Sequence, residues 1–174
     1  MNTTPTIYFV IGVSGSGKTT IGKLLAKELQ IPYFEADDYH SKANKEKMSK
    51  GIPLNDDDRK GWLQALHNEA KHQIAQQKSG VISCSALKQK YRDVLQKDIE
   101  LQVKWIYLKG DYDVIYKRVS QRTNHYMPAS LLKSQFETLE EPQDAITVNV
   151  NYSIHHTMDE IMEKLAGRKS TATK

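Results

Sequence analysis

The stretch Gly12-Val13-Ser14-Gly15-Ser16-Gly17-Lys18-Thr19 matches the pattern G-x-x-x-x-G-K-[ST] without a gap or substitution. Glycines allow a backbone to wrap a polyphosphate with its N–H groups turned inward, along a path that side chains would block. Lys18 adds a charge that can follow a transferring phosphoryl group, Thr19 offers a hydroxyl to Mg²⁺, and Ser14, Ser16 and Thr20 complete the phosphate-binding set. A second group of chemically useful residues follows at Glu35-Ala36-Asp37-Asp38. These acids could hold Mg²⁺ or its waters, or take a proton from an acceptor hydroxyl. An acidic turn capping the next helix explains them equally well.

Both groups need elements to position them. Ile7-Tyr8-Phe9-Val10-Ile11 is a continuous apolar, β-rich run, the pattern of a strand buried on both faces of a parallel sheet. After the glycine loop, Ile21, Leu24, Leu25 and Leu29 recur at helical spacing, so the loop would deliver phosphates onto a helix N-terminus. Ile31-Pro32-Tyr33-Phe34 reads as a second strand that ends at the acids. In open α/β sheets ligands bind beyond the carboxyl ends of strands, which is where both groups fall.

The cations come next. Tyr39 to Lys50 is polar and lysine-rich, with Met48 its one obvious core contact, and is expected to be mobile and exposed. Asn55-Asp56-Asp57-Asp58 then opens a long helix with Trp62, Leu63, Leu66, Ala70 and Ile74 on one stripe. A cation in a helix's first turn opposes the dipole, so Arg59 suits either a ligand carboxylate or a salt bridge to the neighbouring acids. Val81-Ile82-Ser83-Cys84 is a third strand, followed by Lys88 and Arg92, whose spacing puts them on one helix face to meet an anion or simply to face solvent. A fourth strand, Val103 to Leu108, leads to a helix with Val114, Ile115 and Val119 inward and with Arg118 and Arg122 one turn apart. Beside the loop Thr123 to Pro128, these arginines suggest a lid over ATP, with a solvent-facing stripe as the alternative. A helix from Ala129 to Thr138, a break at Glu140-Glu141-Pro142, a fifth strand at Ile146 to Val150 and a helix from Met158 to Leu165 close the chain.

The alternation predicts an α/β, three-layer P-loop NTPase fold: a five-stranded, mostly parallel sheet with helices on both faces, a small helical substrate segment and a lid. With 174 residues the expectation is one kinase domain over 1–167 and a disordered basic tail over 168–174. The 25 Lys and Arg are interspersed with 21 Asp and Glu, which argues against nucleic acid as a partner. The single cysteine, Cys84, excludes an intrachain disulfide and suggests the cytoplasm, and no apolar run suits a membrane span. Whether the chain pairs as a homodimer is left open.

Among P-loop classes, a switch GTPase needs N-K-x-D, and Asn44-Lys45-Glu46-Lys47 puts lysine where aspartate would read guanine. The Asp58-Arg59-Lys60-Gly61 match to D-x-x-G falls at a helix start rather than after a strand. A motor or transporter ATPase wants an acid closing an apolar strand, whereas the third strand runs into Ser83-Cys84-Ser85. A small kinase remains, with Asp37 the candidate base.

Taken together, several segments resemble the gluconokinase family nearly end to end. They are the glycine loop, Glu46-Lys47-Met48 with Gly51, Pro53 to Arg59, Cys84 to Lys88 with Tyr91-Arg92-Asp93, Tyr107 to Asp111, and Gln135-Phe136-Glu137-Thr138-Leu139-Glu140-Glu141-Pro142. The resemblance implies the shikimate kinase and nucleoside monophosphate kinase type of fold, ATP with Mg²⁺, and D-gluconate phosphorylated at its 6-hydroxyl. It further implies that Lys18 and Thr19 serve phosphates and Mg²⁺, Asp37 holds the acceptor hydroxyl, Arg59 faces the sugar acid and Arg122 belongs to the lid. Glu35 joins Thr19 as a metal candidate, and Arg59, Lys88, Arg92 and His40 as substrate contacts. Family members often show Asp-Gly-Asp or Gly-Asp-Asp before the histidine, while this chain has Glu35-Ala36-Asp37-Asp38-Tyr39-His40, which leaves open which acid contacts Mg²⁺. A kinase of another small hydroxylated anion, such as shikimate or adenylylsulfate, is the alternative.

Overall fold

Strand β1, Ile7–Ile11, is buried along almost its whole length because it lies at the centre of the sheet. Its alternation still shows, since Ile7, Phe9 and Ile11 enter one apolar layer while Val10, with Tyr8 beside it, enters the other. These details come from a computed structural model that describes residues 3–122 and 129–167. The expected lid loop Thr123 to Pro128 and the expected tail 168–174 lie outside the described residues.

The other strands are β2 (Tyr33–Glu35), β3 (Gly80–Ser83), β4 (Val103–Lys109) and β5 (Ile146–Asn149). They form one five-stranded sheet in the order β2-β3-β1-β4-β5, and every pairing is parallel. After β1 the chain moves to one side for β2 and β3, then crosses to the other for β4 and β5. That reversal leaves a crevice at the carboxyl end of β1.

Helices α1 (Lys18–Leu29) and α7 (Ile154–Leu165) cover one face, where Ile21, Leu25 and Ile161 pack on Val10, Val81, Ile106 and Val148. Helices α3 (Asp56–Ala75) and α4 (Gln89–Gln96) cover the other, where Trp62, Leu66, Ala70 and Leu95 meet Ile7, Phe9, Ile82 and Trp105. Phe9 and Trp105 stack across neighbouring strands with centroids 4.6 Å apart. A smaller cluster of Val13, Leu87, Ile115, Val119 and Leu132 holds α5 (Tyr112–Ser120) and α6 (Ala129–Thr138) against the glycine loop. This is the expected three-layer α/β arrangement.

The segment expected to be mobile and exposed is different. Lys42–Ser49 forms helix α2, capped by Ser41, whose side chain accepts from Asn44 N. Met48 is exposed rather than a core contact, and Asn44 is the buried residue of this helix. The anchor is polar. Asn44 Nδ2 donates to Asp58 O at 2.7 Å, and Lys47 Nζ reaches both Asp58 carboxylate oxygens at 3.0 and 2.9 Å. A search for apolar periodicity cannot see such an attachment.

Candidate active site

The glycine loop is built by backbone. Gly15 has φ +80, and a Cβ there would run into the side chain of Val119 on α5. Gly17 caps α1 in the left-handed region, so the first free N–H groups of that helix face the loop's hollow. The helix sits close to the sheet because Gly22 has no side chain where Tyr33 and Ser83 press on it, and Ser83 Oγ donates to Lys18 O at 2.8 Å. Ser16 Oγ is buried with no partner among the described residues. Lys18 Nζ donates back to Val13 O at 2.9 Å. Burial pulls its pKa below the ordinary lysine value, against the opposing charges of Asp37 and Glu35 and with a push from Arg122.

Next to this loop lie the strand-end acids. Thr19 Oγ1 donates to Glu35 Oε2 at 2.7 Å, and Tyr33 OH donates to the same oxygen at 2.6 Å. Residues Ala36–Tyr39 continue as a 3₁₀ turn that carries Asp37 and Asp38. Burial raises the pKa of Asp37, with the neighbouring Glu35 adding to the rise and Lys18 opposing it. A hydroxyl and two carboxylates suit a hard cation such as Mg²⁺, which takes few protein ligands and fills the rest with water and phosphate oxygens. Among the described residues no cluster of three or more His, Cys, Asp and Glu is placed to hold a metal alone.

Beyond the acidic turn the wall is built by side chains. Trp62 Nε1 of α3 donates to Ala36 O at 2.7 Å and so ties that helix to the acidic turn. His40 stacks on Trp62 with centroids 4.3 Å apart. Burial, with the charges of Arg59 and Lys45, lowers its pKa to about 4. The start of α3 has a full capping box between Asn55 and Asp58. Arg59 is not paired to the acids of its own turn. Its Nη1 lies 3.3 Å from Tyr91 OH, its guanidinium sits 5.4 Å from the Tyr91 ring centroid, and Tyr91 OH donates to Asp56 Oδ1 at 2.6 Å. Lys88 stands beside the same ring, with Nζ 6.0 Å from the centroid.

Two expectations need correction. Lys88 is the N-cap of α4, so it shares no helix face with Arg92. Arg92 is 2% exposed and spends its guanidinium inside the protein, donating to Ala86 O and Glu140 O at 2.7 Å each and to Gln89 Oε1 at 3.1 Å. It is a clamp between the loop before α4 and the segment just after α6. Arg122 also lies past the end of α5, yet it and Arg118 line one cavity of about 290 Å³ with Gly15, Gly17, Thr20 and Tyr152. A larger cleft of about 440 Å³ opens among Val103, Lys104 and Ile146, at the amino ends of β4 and β5 and away from these groups.

Three residues escaped the sequence reading. Gln135 of α6 accepts from Ser14 N through Oε1 at 2.7 Å, so the helix after the expected lid touches the phosphate loop. Tyr91 bridges Arg59 to Asp56, and Asn44 holds α2 to α3. Gln135 and Tyr91 lie within segments that carry the family resemblance, while Asn44 stands only in the incomplete guanine motif.

With this geometry in view, the comparisons are specific. A family profile described as shikimate kinase matches residues 14–170. A probable gluconokinase of Mus musculus is 42% identical over 180 residues, covering 92% of this chain and 98% of that protein. The thermosensitive gluconokinase of Escherichia coli (strain K12) is 41% identical over 157 residues, covering 88% and 83%. The crystal structure of a gluconokinase from Sinorhizobium meliloti 1021 superposes with a TM-score of 0.86 at 39% identity, covering 94% of this chain and 93% of that one.

Proposed function

Because the chain belongs to the gluconokinase family, within the shikimate kinase type of P-loop kinases, we propose that it transfers the γ-phosphoryl group of ATP to the 6-hydroxyl of D-gluconate, giving 6-phospho-D-gluconate and ADP. The observation that carries the site assignment is convergence on Lys18: Glu35, bonded to Thr19 beside it, Asp37 and Arg122 all lie close enough to act on its charge at the crevice beyond β1.

In this reading the loop from Gly12 to Gly17 holds the phosphates, with Gly15 and Gly17 offering N–H groups while those of Gly12, Ser14 and Ser16 donate to Ser85 O, Gln135 Oε1 and Val13 O, and with Thr20 and the cavity beneath Arg118 and Arg122 taking the nucleoside side. Lys18 and Arg122 stabilise charge on the moving phosphoryl group, which is nearly all that catalysis of this transfer requires. Thr19 and Glu35 would hold Mg²⁺, which when bound neutralises phosphate charge. Asp37 orients the acceptor hydroxyl and receives its proton, and its raised pKa makes it a better base than an ordinary carboxylate. Arg59 faces the substrate carboxylate, with Lys88 and His40 beside it. Cys84 takes no part as a nucleophile, because burial pushes its thiol up to about 12. No helix among the described residues is long and apolar enough to cross a membrane, and a cytoplasmic setting belongs to the same reading.

The deciding experiment is an ADP-release assay with gluconate, shikimate, adenylylsulfate, or no acceptor. Release that depends on gluconate is expected. Equal release without any acceptor, or none with gluconate, overturns the assignment.

A further inference from the structure

Asn44 is 5% exposed within a helix whose other residues are mostly charged and solvent-facing. Its amide has one unambiguous contact: Nδ2 donates to Asp58 O at 2.7 Å, and a carbonyl can only accept. That contact fixes which end of the amide is nitrogen. The same nitrogen lies 3.3 Å from His40 Nδ1. Facing a donor, Nδ1 must act as the acceptor, and in a neutral imidazole the proton then sits on Nε2. The ring cannot swing away, because it stacks on Trp62, itself fastened to Ala36 O.

Nε2 has no hydrogen-bond partner among the described residues. His40 is 8% exposed, and Arg59 stands one helical turn before the Trp62 on which the ring stacks, near enough for its charge to act on the ring.

We propose that Asn44 is a positioning residue for the acceptor: it locks His40 as the Nε2–H tautomer, so that a neutral donor stands beside Arg59 and binds the carboxylate end of the sugar acid. The inference rests on the acceptor site being at Arg59 and His40. A cation and a neutral donor side by side would serve the two oxygens of a carboxylate without a second charge to desolvate. The sugar acid would thus be favoured over the uncharged sugar.

Long-range ¹H–¹⁵N spectra of the full chain read the tautomer directly, with the His40 signals assigned by their loss in His40→Gln. The Nε2–H form is expected, with its Nε2 resonance moving when gluconate is added. A dominant Nδ1–H form overturns the proposal, and this measurement needs no Asn44 variant to fold. In steady state, Asn44→Ala should raise KM for gluconate about tenfold, the range of one hydrogen bond to a charged group, with kcat and KM for ATP little changed. An unchanged KM in Asn44→Ala, with a raised KM in His40→Ala, overturns the Asn44 inference alone. An unchanged KM in His40→Ala removes the acceptor-site assignment with it.

Discussion

The two ends of the site are made of different material. At the end proposed for the nucleotide the wall is one unbroken stretch of backbone, shaped by glycines such as Gly15 and held by Ser83 on Lys18 O. At the end proposed for the acceptor the wall is made of side chains from the acidic turn, α3 and α4, joined by links such as Trp62 to Ala36 and Arg59 to Tyr91. A polyphosphate is the same whatever the acceptor, so a backbone mould suits it, whereas recognition of one sugar acid needs specific side chains.

If that division holds, changes at the two ends should separate in kinetics. The largest effect is expected at the boundary: Asp37→Asn should lower kcat by about 10²–10⁴, the range of general base catalysis, with ATP affinity held. The acid limb of kcat/KM should also lie above the ordinary aspartate value of 3.8, because the base must be unprotonated and its pKa is raised. Equal kcat in wild type and Asp37→Asn would remove the base assignment. Next, Gly15→Ala should weaken ATP binding by about a hundredfold, since a left-handed non-glycine residue and a collision with Val119 act together, while KM for gluconate stays. Titration calorimetry with ATP checks this. Arg59→Ala should do the reverse, raising KM for gluconate by about tenfold to a hundredfold at nearly constant kcat. Loss of ATP affinity there would blur the division. Tyr91→Phe, which keeps the ring under Arg59 and removes only the hydroxyl, should raise the same KM about fivefold.

The smallest effect is on stability. The folded-state pKa of His40 is about 4, below the ordinary 6.5, so the folded protein resists a proton that the unfolded chain accepts. Its contribution is complete above pH 6.5 and declines as pH falls toward 4. Urea midpoints should therefore drop more steeply between pH 7 and 5 in wild type than in His40→Gln. Parallel slopes would refute this.

The same division explains what the sequence made legible. β1, the glycine loop and α1 are contiguous and announce themselves by apolar runs and glycine spacing, and their observed bounds match the reading. The acceptor wall is tied by side-chain bonds between residues far apart in the chain, and no periodicity marks them. From sequence, helix α2 therefore has the pattern of a mobile stretch, although Asn44 and Lys47 fasten it to Asp58. Arg92 looked like an anion ligand because its spacing from Lys88 suggested a shared helix face. Only the fold reveals that the helix starts after Lys88 and that Arg92 is enclosed.

Asp58 accepts from Asn55 N, holds Lys47 and offers its carbonyl to Asn44, so the described polar seam between α2 and α3 passes through one residue. The consequence is modularity. A wall hinged on a single post can be reshaped, by exchanging the residues hung on it, without disturbing the nucleotide mould across the cleft. Divergence among such kinases toward new acceptors would then proceed by refurnishing this wall while the fuel port stays as it is.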